Sequence, residues 1–550
     1  MATSTKKTGG EAVVEALQAL GVKTVFGIVS VHNVPTLDAI GRSGTIDFIS
    51  CRHEQGAVHA ADGYARATGT IGVALTSTGP GAANAMGGLF EANDASVPVM
   101  MITGQADTSE FGRGRGTIHQ AENQLTMLRT VTKRAEHVEH SDDIASTIVA
   151  VACDMLSGRP GPGAIEIPIN LQYGPAQVGE IETPKPRITA PQPRAIEAAA
   201  AALSTAQRPL IISGGGVIAS NASRKLTELA ERLDAPVITT IEGRGAISER
   251  HRLSLGPNLD MSVMDQVPAQ ADVVVAVGTR FQLSTNVLSW LTLPGSLVHI
   301  DVDPTVIGRV HAVDHAVVGD ASLSLDALLE SLGGERAENV GWVDACRSVR
   351  AEVDAANRAA IGTDLASIMD SIDAALPDDA IVAKDATISA YLWANRLLPV
   401  RQPRTAMRPA GQAIGPGVPL GIGAAVGSGK TTVVIQGDGG LMLSIGELAT
   451  AVQCDLPLIV CVFNDGGYGM LKVIQNMAAE GRYIGVDLAT PDFAAVGKSF
   501  GLASVSVGSA AEFDSAFRHA VEAGGPWLLD VDLTVLEPMQ ITPQPRPVRD

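Results

Sequence analysis

Two acids stand at the ends of two apolar runs, each beside glycine. Asp438 lies in "TTVVIQGDGGLML" and Asp465 follows "LPLIVCVF" in "NDGGYG". Ligands of parallel α/β sheets bind beyond the carboxyl ends of the strands, where both acids would fall. Gly437, Gly439 and Gly440 let the backbone approach a ligand closely. A helix expected from about Ser444 would turn its N-terminus toward a phosphate. Two carboxylates, a backbone carbonyl and phosphate oxygens make the oxygen shell that Mg²⁺ prefers. A lone G-D-G is also a common turn; two neighbouring strand ends carrying acids weigh for a site. A third acid, Glu54, follows the run "IDFISC" and opens a helical pattern. Its ordinary reading is an acid that the helix dipole favours.

The elements that must position these groups are short apolar runs alternating with helical patterns, which predicts α/β architecture with parallel sheets. Runs such as "IGVALTS" and "VPVMMITG" come first, then the Pro-rich "ETPKPRITAPQPR", then "RPLIISGGG" and "ADVVVAVGT", and last "AIVAKDAT" and "PWLLDVDL". Domains at 1–180, 196–335 and 336–550 with a linker at 181–195 are expected. The first and third blocks repeat one series of strand, glycine turn, helix, Pro-preceded turn and strand, so two related domains are expected. Over 550 residues one core is too small a unit. The net charge of -19 argues against nucleic acid. No apolar run approaches a membrane span and no signal-like segment opens the chain, so a soluble protein is expected. Five cysteines without C-x-x-C spacing fit a reducing cytoplasm.

G-D-G followed by Asn464-Asp465 resembles the thiamine diphosphate signature. "RHEQGAVHAADGYARATG", "TSTGPGAANAMGGLFEA", "LVHIDVDP" and "PDFAAVGKSFG" extend the likeness to acetolactate synthase and its relatives, benzaldehyde lyase and benzoylformate decarboxylase among them. The resemblance implies an N-terminal pyrimidine-binding domain, a central Rossmann-like domain and a C-terminal diphosphate- and Mg²⁺-binding domain. It implies active sites at a dimer interface, in a homodimer or homotetramer. It makes Glu54 the partner of the cofactor's aminopyrimidine, a role that suits a buried, partly protonated acid. Ile414 in "AGQAIGPG" matches the apolar wedge that bends the cofactor. The Gln412 carbonyl and Ile414 N–H would bond the pyrimidine. Thr387, Ile388 and Ser389 match a further diphosphate-side loop, although acetolactate synthase usually carries Gly-Gln-His there. Gly467 and Tyr468 would complete the cofactor loop, and Gly467 would add a carbonyl to the metal ligands Asp438 and Asp465.

The loop "FGIVSVHN" departs from acetolactate synthase and places His32 where benzaldehyde lyase has a catalytic histidine. An imidazole of ordinary pKa there can shuttle protons. His53 and Gln120 join Glu54 and His32 as candidate catalytic groups. Asn33, His119, Met470 and Ile474 are candidate substrate-pocket residues. Ile474 stands where acetolactate synthase usually has a tryptophan that selects its second keto acid. "AAVGSGKT" nearly matches a phosphate loop, but with helix before and strand after the order is inverted. Acetolactate synthases hold FAD in the central domain; here "LGPNLDMSV" and "GTRFQLSTN" depart from the usual pattern, which weighs against it. The expected activity is Mg²⁺- and thiamine diphosphate-dependent carboligation of 2-oxo acids or 2-hydroxy ketones. A decarboxylase or a 2-hydroxyacyl lyase is the nearer alternative, and a FAD- or nucleotide-binding oxidoreductase the more distant one.

Overall fold

The computed structural model describes residues 7–182, 185–257, 262–282, 291–293, 295–334 and 340–539. Three six-stranded parallel sheets follow one another along the chain. Each is flanked by helices that cover its apolar faces, as parallel sheets require. The first holds, in spatial order, Asp47–Ser50, Thr24–Gly27, Gly72–Thr76, Val99–Gln105, Gly163–Pro168 and Arg134–His137. The third holds Ala406–Met407, Ile381–Lys384, Thr432–Gly437, Leu458–Asn464, Trp527–Asp532 and Ala503–Val507. Counted within each domain, both run second, first, third, fourth, sixth, fifth. The shared sequence pattern is thus a shared topology. The middle sheet differs: Ser254–Gly256, Val237–Thr239, Pro209–Ser213, Val273–Val277, Ser296–Asp301 and His315–Val318 run third, second, first, fourth, fifth, sixth, the order of dinucleotide-binding folds.

The strands form where the sequence is β-branched and apolar. "VVVAV" at Val273–Val277 is buried throughout, because helices close both faces. Cys461, also buried, sits inside the strand Leu458–Asn464 as apolar filler. The phosphate-loop look-alike is the end of the helix Gly417–Ser428, capped by Gly429 at φ 66°, which leaves no loop between strand and helix to cradle a phosphate.

The outer domains meet through two helices, Glu54–Thr68 and Gly417–Ser428. Their approach depends on glycine. A Cβ on Gly63 would lie 2.1 Å from the Leu420 carbonyl oxygen, and one on Gly423 would lie 1.8 Å from that of Ala60. No other side chain permits this backbone contact. Among the described residues no helix is long and apolar enough to cross a membrane.

Candidate active site

Asp438 and Asp465 end adjacent strands, with Gly437 opposite Phe463 in the register. Both line a cleft of about 410 Å³, close to each other. Its walls carry Thr387, Ile388, Ser389, Gln412, Ile414, Gly437, Gly439, Gly440, Gly467, Tyr468, Met470 and Ile474. All the candidates of the C-terminal domain therefore come together. The helix expected from Ser444 begins earlier, at Asp438 itself. Gly437 is its cap, so the acid enters the first turn directly from the strand. The glycines are required. A Cβ on Gly440 would lie 2.1 Å from Asp385 Oδ2, and one on Gly439 would lie 2.7 Å from the Tyr468 ring.

Burial, reinforced by the facing carboxylate of Asp465, pushes Asp438 up to about 6. Burial also raises Asp465, against the pull of Lys472. Asp438 Oδ2 accepts the Gly467 N–H at 2.8 Å. Two crowded, desolvated carboxylates of this kind are what a bound cation would relieve. Among the described residues no group of three or more His, Cys, Asp or Glu could hold a metal. A backbone carbonyl and phosphate oxygens must therefore supply the rest of any shell. The donor set and glycine-lined floor fit Mg²⁺ and a diphosphate.

Ile414, on the wall of this cleft, is 39% exposed. The Gly415 N–H beside it donates to both oxygens of Asp385, at 2.9 and 3.0 Å. Burial pushes Asp385 up to about 6 while these bonds pull it back. Sequence reading missed Asp385, although it carries the same signal as Asp438: an acid just beyond a strand, Ile381–Lys384. The segment Ser389–Ala394 is wound as a π-helix, a form that recurs at functional sites.

The N-terminal candidates form a second cluster, apart from that cleft. A turn at 77–79 and the short helix Pro80–Asn84 follow the strand Gly72–Thr76. A Cβ on Gly81 would lie 2.8 Å from Glu54 Oε1, and one on Gly79 would lie 2.3 Å from the His119 carbonyl oxygen. Glu54 accepts a bond from Asn84 at 3.0 Å and is half-buried rather than buried. Ser77 Oγ is 2.6 Å from Ser30 Oγ and 3.5 Å from His119 Nδ1. The His32 and His119 rings lie 5.4 Å apart.

The His32 imidazole departs from the ordinary pKa expected of it. His32 is 5% exposed, and burial, with His119 nearby, lowers its pKa below the ordinary value. Its Nε2 lies 3.2 Å from the Ile118 carbonyl oxygen. His119 is the exposed ring, on a backbone held at φ 58°. His53 is the cap of the helix that Glu54 opens, its Nδ1 accepting the Gln55 N–H. Asn33 is buried, donating to the carbonyls of Ile28 and Thr76 and accepting from Ser30, and so braces the loop. Gln120 is likewise engaged with Thr117 in its own loop.

Both clusters occupy the same address in their domains. Each follows the domain's first and third strands, where the strand order reverses, the usual place for a ligand in open α/β sheets. A second cavity of about 550 Å³ opens between the central domain and the outer two, lined by Gly215, Gly216, Gly278 and Asp301 together with Arg159 and Arg408. It shares Tyr391, Gln412, Met470 and Ile474 with the first cleft. Part of the two segments that depart from the FAD pattern, 258–261 and 283–286, lies outside the described residues.

Sequence comparisons agree with this geometry. Residues 7–127 match the thiamine pyrophosphate enzyme N-terminal TPP binding domain, 196–328 the central domain and 388–531 the C-terminal TPP binding domain. The chain belongs to the thiamine pyrophosphate enzymes. It is 31% identical to a probable acetolactate synthase large subunit of Methanocaldococcus jannaschii, over 97% of this chain and 93% of that protein. It is 32% identical to the acetolactate synthase isozyme 3 large subunit of Escherichia coli, over 97% and 96%. It is 33% identical to a probable 2-ketoarginine decarboxylase of Pseudomonas aeruginosa, over 95% and 94%. Within the family it is an acetolactate synthase-like, thiamine diphosphate-dependent enzyme that forms or cleaves C–C bonds.

Proposed function

We propose that the chain is a Mg²⁺-dependent carboligase of 2-oxo acids, working in the cytoplasm as a homodimer or homotetramer whose active sites lie between two copies. The observation that carries this is the separation of the two clusters. The cleft from Thr387 to Ile474 has no wall from Glu54, His119 or His32. A second copy would bring a Glu54 cluster to each cleft. Exposed apolar side chains flank both halves, among them Val29, Val31, Phe90, Ile118, Met442 and Leu443, and such surface favours being covered. All five cysteines are free, as in a reducing compartment. The sheets and matched segments support domain limits near residues 180, 195 and 335.

Bound thiamine diphosphate supplies a carbon nucleophile and an electron sink. Asp438, Asp465 and the Gly467 carbonyl would hold Mg²⁺ against the diphosphate. Thr387 to Ser389 and Gly437 to Gly440 would hold the diphosphate itself. Gln412 and Ile414 would position the pyrimidine ring, with Glu54 of the partner subunit exchanging a proton with it. His119, the exposed ring, is the group to move a proton at the substrate oxygen, with His32 behind it. Met470 and Ile474 would bound the substrate.

Incubation with pyruvate, alone and with an added aldehyde, tests the reading. A 2-hydroxy ketone, or a 2-hydroxy-3-oxo acid formed from two molecules of pyruvate with loss of one CO₂, supports it. Release of aldehyde and CO₂ alone would make the enzyme a decarboxylase. That second reading draws on Ile474, which opens the substrate space toward the central cavity, and on the similarity to the probable 2-ketoarginine decarboxylase; 2-ketoarginine is therefore the first longer substrate to try. Visible absorbance of the purified protein would reveal a flavin in the central cavity.

A further inference from the structure

The loop between Met407 and the helix Gly417–Ser428 carries Gln412 and Ile414, and its shape is imposed from outside. Gln412 sits at φ 67°, a conformation that glutamine rarely adopts. The amides on either side of it both donate to one carboxylate. The Gly411 N–H reaches Glu91 Oε2 at 2.7 Å, and the Ala413 N–H reaches Glu91 Oε1 at 2.8 Å. Glu91 belongs to the other outer domain, on the helix Met86–Ala95, and is 1% exposed. Gly411 has no room for a side chain: a Cβ would lie 2.7 Å from the Phe90 ring and 2.9 Å from Glu91 Oε1.

Ile414 is consequently bracketed. The amide before it is tied to Glu91 and the amide after it to Asp385. The arrangement is reciprocated across the crossing helices. Glu447 of the C-terminal domain accepts the Arg52 and His53 N–H groups at 2.9 and 3.1 Å, just before Glu54. A carboxylate excluded from water needs such charge-assisted bonds. Arg66, whose NH1 donates to the Arg408 carbonyl at 2.8 Å, adds a favourable charge near Glu91.

We propose that Glu91 is a positioning residue, through which the N-terminal domain of a chain fixes the loop that presents Gln412 and Ile414 to the cofactor's pyrimidine ring. The inference rests on the reading of that loop as the pyrimidine site. Glu91→Gln keeps the shape but faces one N–H donor with an NH₂ group. The assay is calorimetry on the full-length protein with Mg²⁺, comparing thiamine diphosphate with inorganic diphosphate, which lacks the ring. The expected result is a roughly tenfold or greater loss of thiamine diphosphate affinity, the scale of a charge-assisted bond, with inorganic diphosphate binding unchanged. Hydrogen–deuterium exchange at C2 of saturating bound cofactor should slow in the same variant. Glu91→Asp, whose carboxylate is one methylene short, should show the same split and serves if the glutamine variant fails to fold. Equal loss for both ligands, or loss for neither, overturns the proposal. Ile414→Ala separates the two levels. If it weakens thiamine diphosphate selectively while the Glu91 variants do not, Glu91 alone is wrongly assigned. If Ile414→Ala also has no effect, the loop is not the pyrimidine site, and the proposal falls with that reading.

Discussion

Gly423→Ala should uncouple the two outer domains. The added methyl carbon would lie 1.8 Å from the Ala60 carbonyl oxygen, about 1.6 Å inside the 3.4 Å onset of ordinary contact. Its neighbours are helix backbone, which cannot swing aside as a flexible side chain does, so the helices Glu54–Thr68 and Gly417–Ser428 must separate. Overpacking of this severity costs roughly 3 kcal/mol. For domains of this size that lowers Tm by roughly 6–12 °C. The same separation moves Glu54 and the Ile414 loop, which lie at the N-terminal ends of these two helices, so activity should fall as well. Gly429→Ala is the control. It ends the same helix at φ 66° with nothing within 4 Å of its Cβ, and should cost only about 1 kcal/mol from its backbone conformation. Thermal scans at one fixed rate compare the two. A Gly423→Ala protein that melts no lower than Gly429→Ala and keeps full activity would refute the close crossing.

Glu54→Gln should bind cofactor almost normally and lose about 10²-fold or more in turnover; full activity would remove the assigned role. Asp438→Ala should lose Mg²⁺-dependent binding of thiamine diphosphate in calorimetry, and unchanged affinity would make the "QGDGG" turn structural. His119→Ala should slow product formation by roughly 10²-fold or more while C2 exchange continues, with His32→Ala having the smaller effect; the reverse ranking returns the proton transfer to His32. Asp301 is raised from 3.8 to about 6 by burial, against the pull of the Asp303 N–H that it accepts. Its charged form therefore penalises the fold above pH 6, and the penalty fades as pH falls through 6 toward 3.8. Asp301→Asn should stabilise by up to roughly 3 kcal/mol at pH 8 and by little at pH 4, read from denaturant midpoints.

Apolar runs marked the interior strands of all three sheets, because helices cover both faces there. The strands that the sequence hid are Arg134–His137, Ser254–Gly256, His315–Val318, Ala406–Met407 and Ala503–Val507. All are sheet edges, where a short or polar strand suffices and one side needs no apolar partner. The C-terminal site was legible because acids and glycines at strand ends carry position in their spacing. The N-terminal site was less so. His53 and Asn33 have polar atoms that their own loops consume, and sequence cannot say whether a side chain turns inward. Glu91 and Glu447 were invisible for another reason. Their partners are amides hundreds of residues away, brought near only by the glycine crossing.

The common strand order of the outer domains implies a division between holding and choosing. On the proposed function, the C-terminal copy of the topology would grip the diphosphate end of the cofactor through backbone and metal ligands, a task indifferent to the substrate. The other copy offers loops around residues 28–33 and 111–122 whose chemistry can be rewritten without loosening that grip. A lineage built this way can drift from one 2-oxo acid to another through a handful of N-terminal substitutions. Its reaction is most economically redirected by library mutagenesis confined to those two loops and the facing wall at Met470 and Ile474.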